Sequence, residues 1–220
     1  MRIAILGAGR VGASLGAALR AKGHVVVFAV REPNVSAGLA TKTIDRAISS
    51  ADAVILTTPW TAAEALICEH APALAGKIVI DATNPLNTNA TRLAFGFDMS
   101  GAELLQSHAQ HATFFKAFNV TGPGAVASPR YPQGLAAAFV AGPSGAQKDV
   151  VMGLVSDVGF EAVDVGELRA ARLLEPLSML LLHLEETGEK GRDLALVLGS
   201  RTNRQAEPCP VVNMEAREAG

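Results

Sequence analysis

The sequence predicts an α/β protein built on a doubly wound, mainly parallel sheet with a small C-terminal helical extension. Residues 3–6 are apolar and lead directly into a glycine cluster and a small-residue helix pattern, as a buried parallel strand does. Short β-branched runs then alternate with helical patterns as far as residue 165, which is how parallel strands are connected. A leucine-rich stretch follows from residue 168. Together these observations predict a Rossmann-type domain over residues 1–166.

The glycine cluster after the first strand matches the pattern Gly-x-Gly-x-x-Gly at Gly7, Gly9 and Gly12. In a dinucleotide site the first glycine permits a tight turn, the second admits the pyrophosphate, and the third lets helix and strand pack closely. The pattern alone is weak, and a glycine-rich turn in another α/β protein is the alternative. Because it follows a predicted strand and opens a predicted helix, we expect helix N–H groups to face phosphates here.

Composition limits the classes of function. The chain has 220 residues, 49% hydrophobic and 18% charged, with a net charge of -2, so a large core can form. We expect neither a nucleic-acid partner nor a membrane partner. Two cysteines without metal spacing indicate a reducing compartment, and the start lacks the features of a signal peptide, so a cytoplasmic location without a metal site is expected.

The end of the second predicted strand, residues 24–30, bears on the choice of nucleotide. NAD sites usually place an acidic residue here to hold the ribose 2′-hydroxyl. In this chain the first charged residue is Arg31, whose guanidinium can pair with a 2′-phosphate, so NADP is favoured over NAD. A solvated arginine beside Glu32 is the alternative.

Two further strand ends are candidate cofactor contacts, because ligands of such sheets bind at the carboxyl ends of strands. The strand at residues 53–57 ends in Thr57, Thr58, Pro59 and Trp60, where a helix to about residue 74 begins. Packing at the helix start is the alternative role for Trp60.

The next strand, residues 77–81, runs into Asp81, Ala82 and Asn84. We expect this exit to lie along the nicotinamide, with Asp81 and Asn84 able to hold its ribose or carboxamide. A turn or capping role is the alternative for Asp81. Residues 87–101 are polar and glycine-containing, which predicts a mobile loop over the site.

The predicted sixth strand, residues 113–119, supplies the substrate-side candidates. Asn119 is favoured over Lys116, for which a snorkelling lysine at the sheet edge is the alternative. His111 and His108 precede this strand, and His183 lies in the leucine-rich stretch. His108 and His111 can face the cleft and His183 can approach the site from a partner subunit, although a structural or solvent-exposed role is the more common one.

The C-terminal part changes character. The pattern of residues 167–188 predicts a helix that Pro176 would kink. Leucines occupy most of the circumference of this helix. Because a small domain cannot bury all of that surface, we expect a homodimer formed through this helix. Residues 189–220 carry Pro208 and Pro210 and lack periodicity, which predicts an extended arm or tail.

Five motifs in this order resemble the NADP oxidoreductase, coenzyme F420-dependent family: residues 7–12, 57–60, 81–85, 116–119 and 174–180. The N-terminal half also looks like pyrroline-5-carboxylate reductases and the reductase domain of ferric-reductase membrane proteins. The resemblance covers about residues 1–188 and implies a Rossmann domain with a small C-terminal extension, often dimeric.

The resemblance also implies residue roles. The pyrophosphate would rest on Gly7, Ala8, Gly9, Arg10, Val11 and Gly12. Arg31 would meet the 2′-phosphate, although archaeal members carry Ser-Arg where this chain has Val30 and Arg31. Thr57, Pro59 and Trp60 would line the nicotinamide side.

The resulting hypothesis is an NADPH-dependent oxidoreductase that transfers hydride to a flavin-like ring cofactor, either the 5-deazaflavin F420 or a flavin such as FMN or FAD. Such a transfer needs stacking and orientation but no acid–base residue for the hydride itself, and the sequence offers no convincing catalytic dyad. The alternatives are a reductase of a small imine or carbonyl and a non-enzymatic NADP(H) sensor.

Overall fold

The computed structural model describes residues 1–30, 41–87, 89, 91–188 and 193–199. At its centre is a six-stranded, wholly parallel sheet with the order β3-β2-β1-β4-β5-β6. The strands are β1 (Arg2–Leu6), β2 (Val25–Ala29), β3 (Thr41–Lys42), β4 (Ala53–Leu56), β5 (Ile78–Asp81) and β6 (Thr113–Lys116). The strand order reverses between β1 and β4, where open α/β sheets bind their ligands. The predicted fold class is confirmed.

Helices cover both faces of the sheet. They are α1 (Arg10–Ala21), α2 (Ile44–Ser49), α3 (Trp60–Leu74), α4 (Gly101–His108), α5 (Pro123–Ala127), α6 (Ala146–Val158) and α7 (Ala171–Thr187), which a 3-10 turn (Leu168–Ala170) precedes. One core cluster joins the sheet to α1, α5 and α6, and the other joins it to α2, α3 and α4. Along β1, Ile3 and Ile5 belong to the first cluster while Ala4 and Leu6 belong to the second, because successive strand residues face opposite sides.

A smaller sheet adjoins β6. It pairs β9 (Ala137–Val140) with β10 (Glu161–Asp164) in parallel, and an antiparallel bridge between Lys116 and Ala141 joins it to β6. A short hairpin of β7 (Arg130–Tyr131) and β8 (Gly134–Leu135) precedes it. Neither α5 nor this hairpin was predicted from the sequence. The sixth strand, predicted through residue 119, ends at Lys116, and Phe118 then takes a left-handed backbone conformation with φ of 65°.

The described part of the predicted tail, residues 193–199, has no regular secondary structure and packs against the small sheet. The Ala137 N–H donates to the Leu196 carbonyl oxygen at 2.7 Å, and Val197 lies against Gly134. Residues 193–199 thus cover part of the β9 edge that does not pair with β10. Pro208 and Pro210 lie outside the described residues, and so does the remainder of the predicted tail.

Pro176 lies inside α7. Among the helices that the structure describes, none has the length and hydropathy needed to cross a bilayer.

Candidate functional site: a dinucleotide groove and an adjoining cavity

The glycine loop between β1 and α1 shows which of its glycines serve the fold. Gly7 has a φ of +115°, which disfavours side chains. A Cβ on Gly12 would collide with the Gly7 carbonyl oxygen and lie 2.6 Å from the Thr57 hydroxyl. Gly9 differs, because a Cβ there would meet no described atom within 4 Å. Gly7 and Gly12 therefore maintain the turn, whereas Gly9 borders open space.

The start of α1 provides donors for an anion in that space. Gly9 is the N-cap, and its carbonyl oxygen accepts the first helical bond from the Ala13 N–H at 2.8 Å. The N–H groups of the first turn have no acceptor within the helix, and no acidic side chain occupies this turn. The open space beside Gly9 and these free donors fit the diphosphate of a dinucleotide.

A groove of about 610 Å³ runs along the glycine loop and the carboxyl ends of β4 and β5. The predicted cofactor residues that line it are Gly7, Ala8, Gly9, Val11, Thr57, Thr58, Pro59, Trp60, Ala82 and Asn84. The Thr57 hydroxyl lies 2.9 Å from the Gly7 carbonyl oxygen, to which it donates. Thr57 therefore holds the glycine loop against the end of β4.

Trp60 has a packing role as well as a place in the groove. Its ring meets Phe95 edge-to-face, with centroids 5.8 Å apart and an interplanar angle of 87°. It also lies so close to Gly101 that a Cβ there would come within 2.9 Å of the ring. The alternative prediction of packing at the helix start is thus confirmed, and the residue also lines the groove. Thr58 carries a buried hydroxyl that has no hydrogen-bond partner among the described residues.

A second cavity, of about 220 Å³, adjoins the groove, and both are bordered by Val11, Ala82 and Asn84. Its wall is formed by the loop after β6, by one face of α7 and by the C-terminal segment. Besides the shared residues, its lining comprises Phe118, Asn119, Val120, Thr121, Gly122, Pro123, Ser178, Leu181, Leu182, Glu185 and Leu194. Of these, only Asn119 was predicted from the sequence to lie on the substrate side.

Two asparagines fix the boundary between groove and cavity. The Asn84 amide nitrogen donates to the Asn119 backbone carbonyl at 2.8 Å. The Asn119 amide nitrogen donates to the Asn84 side-chain oxygen at 3.0 Å and to the Leu174 carbonyl at 2.9 Å. Because backbone carbonyls only accept hydrogen bonds, these partners determine how both amides are oriented. The pair connects the ends of β5 and β6 to α7.

A buried ion triad lies beneath this boundary. The Lys116 ammonium is 2.8 Å from an Asp81 oxygen and 2.8 Å from a Glu175 oxygen, and all three side chains are at most 2% exposed. Burial lowers the pKa of Lys116, but the two carboxylates outweigh burial and hold that pKa above its ordinary value. The predictions of a snorkelling or substrate-side Lys116 are wrong, because α7 covers the end of β6 and brings Glu175 to the lysine.

Asp81 has the turn role that was its alternative prediction. Its second oxygen accepts from the Thr83 N–H at 2.9 Å and from the Thr83 hydroxyl at 2.7 Å. Both oxygens thus have partners in a side chain with no solvent exposure, and Asp81 is not among the residues that line the groove. Asn84 lines the groove and keeps its predicted cofactor-side position.

Helix α7 docks onto the start of α4 through charged groups. Glu175 accepts from the Gly101 and Ala102 N–H groups at 2.9 and 3.2 Å, while Arg172 makes two 2.8 Å hydrogen bonds to Glu103. Burial raises the pKa of Glu103, but hydrogen bonds from Arg172 and Ser100 outweigh burial and bring it below the ordinary value. The face of α7 that lines the cavity is therefore held by a polar junction.

Several predicted candidates lie elsewhere. His111 is exposed and precedes the amino end of β6. The groove lies at the carboxyl ends of the parallel strands, so the structure does not bring His111 to the site. His108 pairs with Glu64 at 3.0 Å, and His183 is exposed on α7. Arg31 lies outside the described residues. Arg10 is exposed at the first position of α1.

The predicted loop over the site begins with an ordered turn. The Asn87 side-chain oxygen accepts from the N–H groups of Thr91 and Arg92 at 2.8 and 3.2 Å, and Leu86 pairs with Leu93. Leu86 and Asn87 also line the groove. Mobility of the loop stays a prediction.

Comparisons with known proteins agree with the Rossmann-type fold. Residues 2–85 match the family described as NADP oxidoreductase, coenzyme F420-dependent. A candidate F420-dependent NADP-reductase from Arthrobacter sp. fb24 superposes with a TM-score of 0.82 at 25% identity, covering 91% of this chain and 100% of that one. An imine reductase from Myxococcus stipitatus in complex with NADP+ has a TM-score of 0.65 at 18% identity, covering 86% of this chain and 63% of that one, and shows the fold alone.

A curated relative, the rat (Rattus norvegicus) metalloreductase STEAP3, is 33% identical over 186 residues, which is 82% of this chain. The chain spans only 37% of that relative's length. The fold and the comparisons together show a Rossmann-type chain that is similar to NADP-dependent oxidoreductases. Within that class, residues 2–85 are similar to the NADP oxidoreductase, coenzyme F420-dependent family, and the whole fold is similar to that of the Arthrobacter protein.

Proposed function

We propose that this protein transfers hydride between NADP(H) in the groove and a flavin-like ring, a 5-deazaflavin such as F420 or a flavin, in the adjoining cavity. The observation that carries the proposal is the shared border of the two spaces at Val11, Ala82 and Asn84. A ligand extending along the groove from the glycine loop reaches this border. A ring in the cavity then lies next to it, as direct hydride transfer requires.

When bound, the dinucleotide supplies a hydride, which carries both electrons, and the chain supplies binding and orientation. The amides at the start of α1 bind the diphosphate. The paired Asn84 and Asn119 keep the border rigid. Leu181, Leu182 and Leu194 form an apolar wall that excludes water from the cavity. The only ionisable group among the described lining residues is Glu185.

Loss of the reduced-nicotinamide absorbance tests the proposal. NADPH is incubated with the protein and, separately, with a deazaflavin, a flavin and a cyclic imine. We expect turnover with at least one of the ring cofactors. Turnover with the imine alone assigns the protein to the small imine or carbonyl reductases instead. Tight NADPH binding without turnover on any acceptor leaves a nucleotide sensor and overturns the proposed reaction.

Arg31 is proposed as the residue that favours NADP over NAD. Its guanidinium is suited to the 2′-phosphate, and the family match agrees with NADP as the nucleotide. An Arg31→Ala variant should lose about 1.5–3 kcal/mol of NADPH binding while NADH binding is unchanged. Titration calorimetry with both nucleotides measures this difference. Equal losses for NADPH and NADH would refute the assignment.

We also propose that the protein is a homodimer whose interface includes α7. Leu173, Leu180 and Leu184 are 65%, 53% and 38% exposed. Their spacings of seven and four residues place them on one stripe of the helix. A second copy would bury this stripe from water. Sedimentation analysis should give a dimer at micromolar concentration, and Leu180→Glu should shift it to monomer, with Glu186→Gln as a surface control. A wild-type monomer would refute the proposal.

A further inference from the structure

A short C-terminal segment completes the wall of the adjoining cavity. We call residues 193–196 the strap. Leu194 of the strap lines the cavity together with residues of α7 and of the loop after β6. The strap has no regular secondary structure, so its position depends on the contacts of its individual residues. Those contacts lie on both sides of Leu194.

Asp193 anchors the strap on the side before Leu194. Its carboxylate accepts from the Tyr131 hydroxyl at 3.2 Å. The same carboxylate lies so close to Gly124 of α5 that a Cβ on this glycine would collide with it. Only glycine at position 124 therefore leaves room for Asp193 in its observed place.

Two further contacts hold the strap on the side after Leu194. Ala195 packs against the core cluster that joins the sheet to α1, α5 and α6. The Leu196 carbonyl oxygen accepts from the Ala137 N–H of β9 at 2.7 Å. The side chain of Leu194 is thus presented to the cavity by a segment that is attached to the body of the domain at each end.

The strap lies at the end of the cavity away from the groove. Asn119, which pairs with Asn84 at the border, donates to the Leu174 carbonyl oxygen near the start of α7. The strap approaches α7 eleven residues later, where the Leu194 nitrogen is 3.5 Å from a Glu185 oxygen. At about 1.5 Å per residue, these two positions are about 16 Å apart along the helix. Leu194 therefore marks the outer end of the cavity, and the asparagine pair marks the inner end.

We propose that Leu194 is a specificity-determining residue that makes the cavity select acceptors with three fused rings over smaller ring systems. The inference rests on the proposed hydride transfer and names the class of acceptor by the shape of its ring system. A ring whose reactive atom lies at the border with the groove fills the inner end of the cavity first. Only an acceptor with further fused rings extends to the outer end, where it buries apolar surface against Leu194. Because the selection acts on the rings, it applies equally to acceptors with and without a phosphate-bearing side chain.

The anchors of the strap make Leu194 effective. A leucine on a free tail would lose conformational freedom when a ring binds, and this loss would offset much of the gain from burial. A leucine that is already held in place avoids most of that cost. Asp193 is not among the described residues that line the cavity, yet it should act as a positioning residue for ring binding.

Riboflavin and ribityl-lumazine are the matched ligands for the test, because they share two rings and the ribityl chain and differ in the outer ring of riboflavin. Riboflavin represents both proposed acceptor classes, since 5-deazaflavins have the same three-ring outline. Each ligand is titrated against the NADP+-loaded protein by its own fluorescence. Leu194→Ala should weaken riboflavin binding by about tenfold and lumazine binding by less than about twofold. Leu198→Ala removes the same side chain from an exposed position outside the described lining and should leave both affinities unchanged.

Gly124→Ala tests the strap from outside the cavity lining. Its Cβ would displace the Asp193 carboxylate, so riboflavin binding should weaken by about three- to tenfold. Burial and the Asp193 carboxylate raise the pKa of Tyr131 to about 12, and in this variant the pKa should fall toward 10. Gly153→Ala, on α6, is the glycine control, because its Cβ would meet no described atom within 4 Å. NADPH binding should stay at the wild-type value in every variant, which also shows that the variants are folded.

Unchanged riboflavin affinity in Leu194→Ala, or equal losses for both ligands, overturns the inference and leaves the proposed hydride transfer in place. A lowered pKa of Tyr131 in Gly124→Ala together with wild-type riboflavin binding overturns the role of the strap. An unchanged pKa of Tyr131 in that variant contradicts the contact between Gly124 and Asp193. NADPH binding by the wild type without binding of either ring overturns the proposed ring acceptor and this inference with it.

Discussion

The buried Lys116 provides the sharpest test of how the site is held together. Lys116→Met removes the cation from between Asp81 and Glu175 and leaves both carboxylates in place. Neither carboxylate can reach water, since both are at most 2% exposed. Breaking a buried ion pair by removing one partner costs about 3–5 kcal/mol because the remaining charge is uncompensated. Each carboxylate keeps two other hydrogen bonds, so we expect a loss of about 4 kcal/mol.

Urea unfolding measures this loss. With a slope of about 2 kcal/mol/M, a loss of 4 kcal/mol lowers the midpoint by roughly 2 M. Because Glu175 lies on α7, the variant should also raise the KM for the acceptor more than the Kd for NADPH. Adding Glu175→Gln removes one of the two uncompensated charges and should restore part of the stability.

Lys148 supplies the matched control. It is also buried, at 4% exposure, and its ammonium contacts Asp164 at 2.6 Å, but the Asp164 side chain is 48% exposed. Water can solvate that carboxylate after Lys148→Met, so we expect a loss of only about 1–2 kcal/mol. If Lys116→Met loses less than about 1 kcal/mol, or no more than Lys148→Met, the buried triad does not hold α7 as described.

Two further predictions follow from the pKa shifts. Tyr131 is the only tyrosine, so phenolate absorbance should titrate in one step with a pKa near 12. Asp193→Asn should move that pKa toward 10. An unchanged pKa in Asp193→Asn would contradict the contact between Asp193 and the phenol. Glu103 has a pKa below its ordinary 4.5, so its stabilising effect is complete above that value and is lost as the pH falls through the lowered value. Acid unfolding of Glu103→Gln should therefore depend less steeply on pH below about 4.5 than that of the wild type, and identical slopes would contradict the Arg172 pairing.

Much of the fold was predictable because its signals are local. The apolar run of β1, the glycines after it and the alternation of strands with helices each depend on neighbouring residues. The cofactor side of the site followed from them, since parallel strands place their carboxyl ends at one edge. Thr57, Pro59, Ala82 and Asn84 all line the groove as predicted.

The cavity side depends on contacts between residues distant in sequence. Lys116 and Glu175 are 59 residues apart, and no local pattern indicates that α7 returns to the end of β6. The composition of α7, which is rich in leucine, does not indicate which residues are buried. The buried face carries Glu175 and Ser178, while several leucines are exposed. His111 was misplaced because its proximity in sequence to β6 does not specify which end of the strand it occupies.

The positive φ of Phe118 could not be predicted from the sequence, because a positive φ is common only at glycine. The chain bends at Phe118, directly before Asn119, whose amide donates to the Leu174 carbonyl of α7.

The most direct test of the dinucleotide site is NADPH binding by Gly9→Ala. Gly9 has a φ of -71° and its Cβ would meet no described atom within 4 Å, so the free energy of unfolding should stay at the wild-type value. Gly12→Ala is the structural control and should destabilise the protein, because its Cβ would collide with the Gly7 carbonyl oxygen. If a diphosphate rests beside Gly9, the added methyl should weaken NADPH binding by about 1–3 kcal/mol, roughly 5- to 150-fold, in a calorimetric titration. A stable Gly9→Ala protein that binds NADPH as tightly as the wild type would contradict the placement of the nucleotide in this groove.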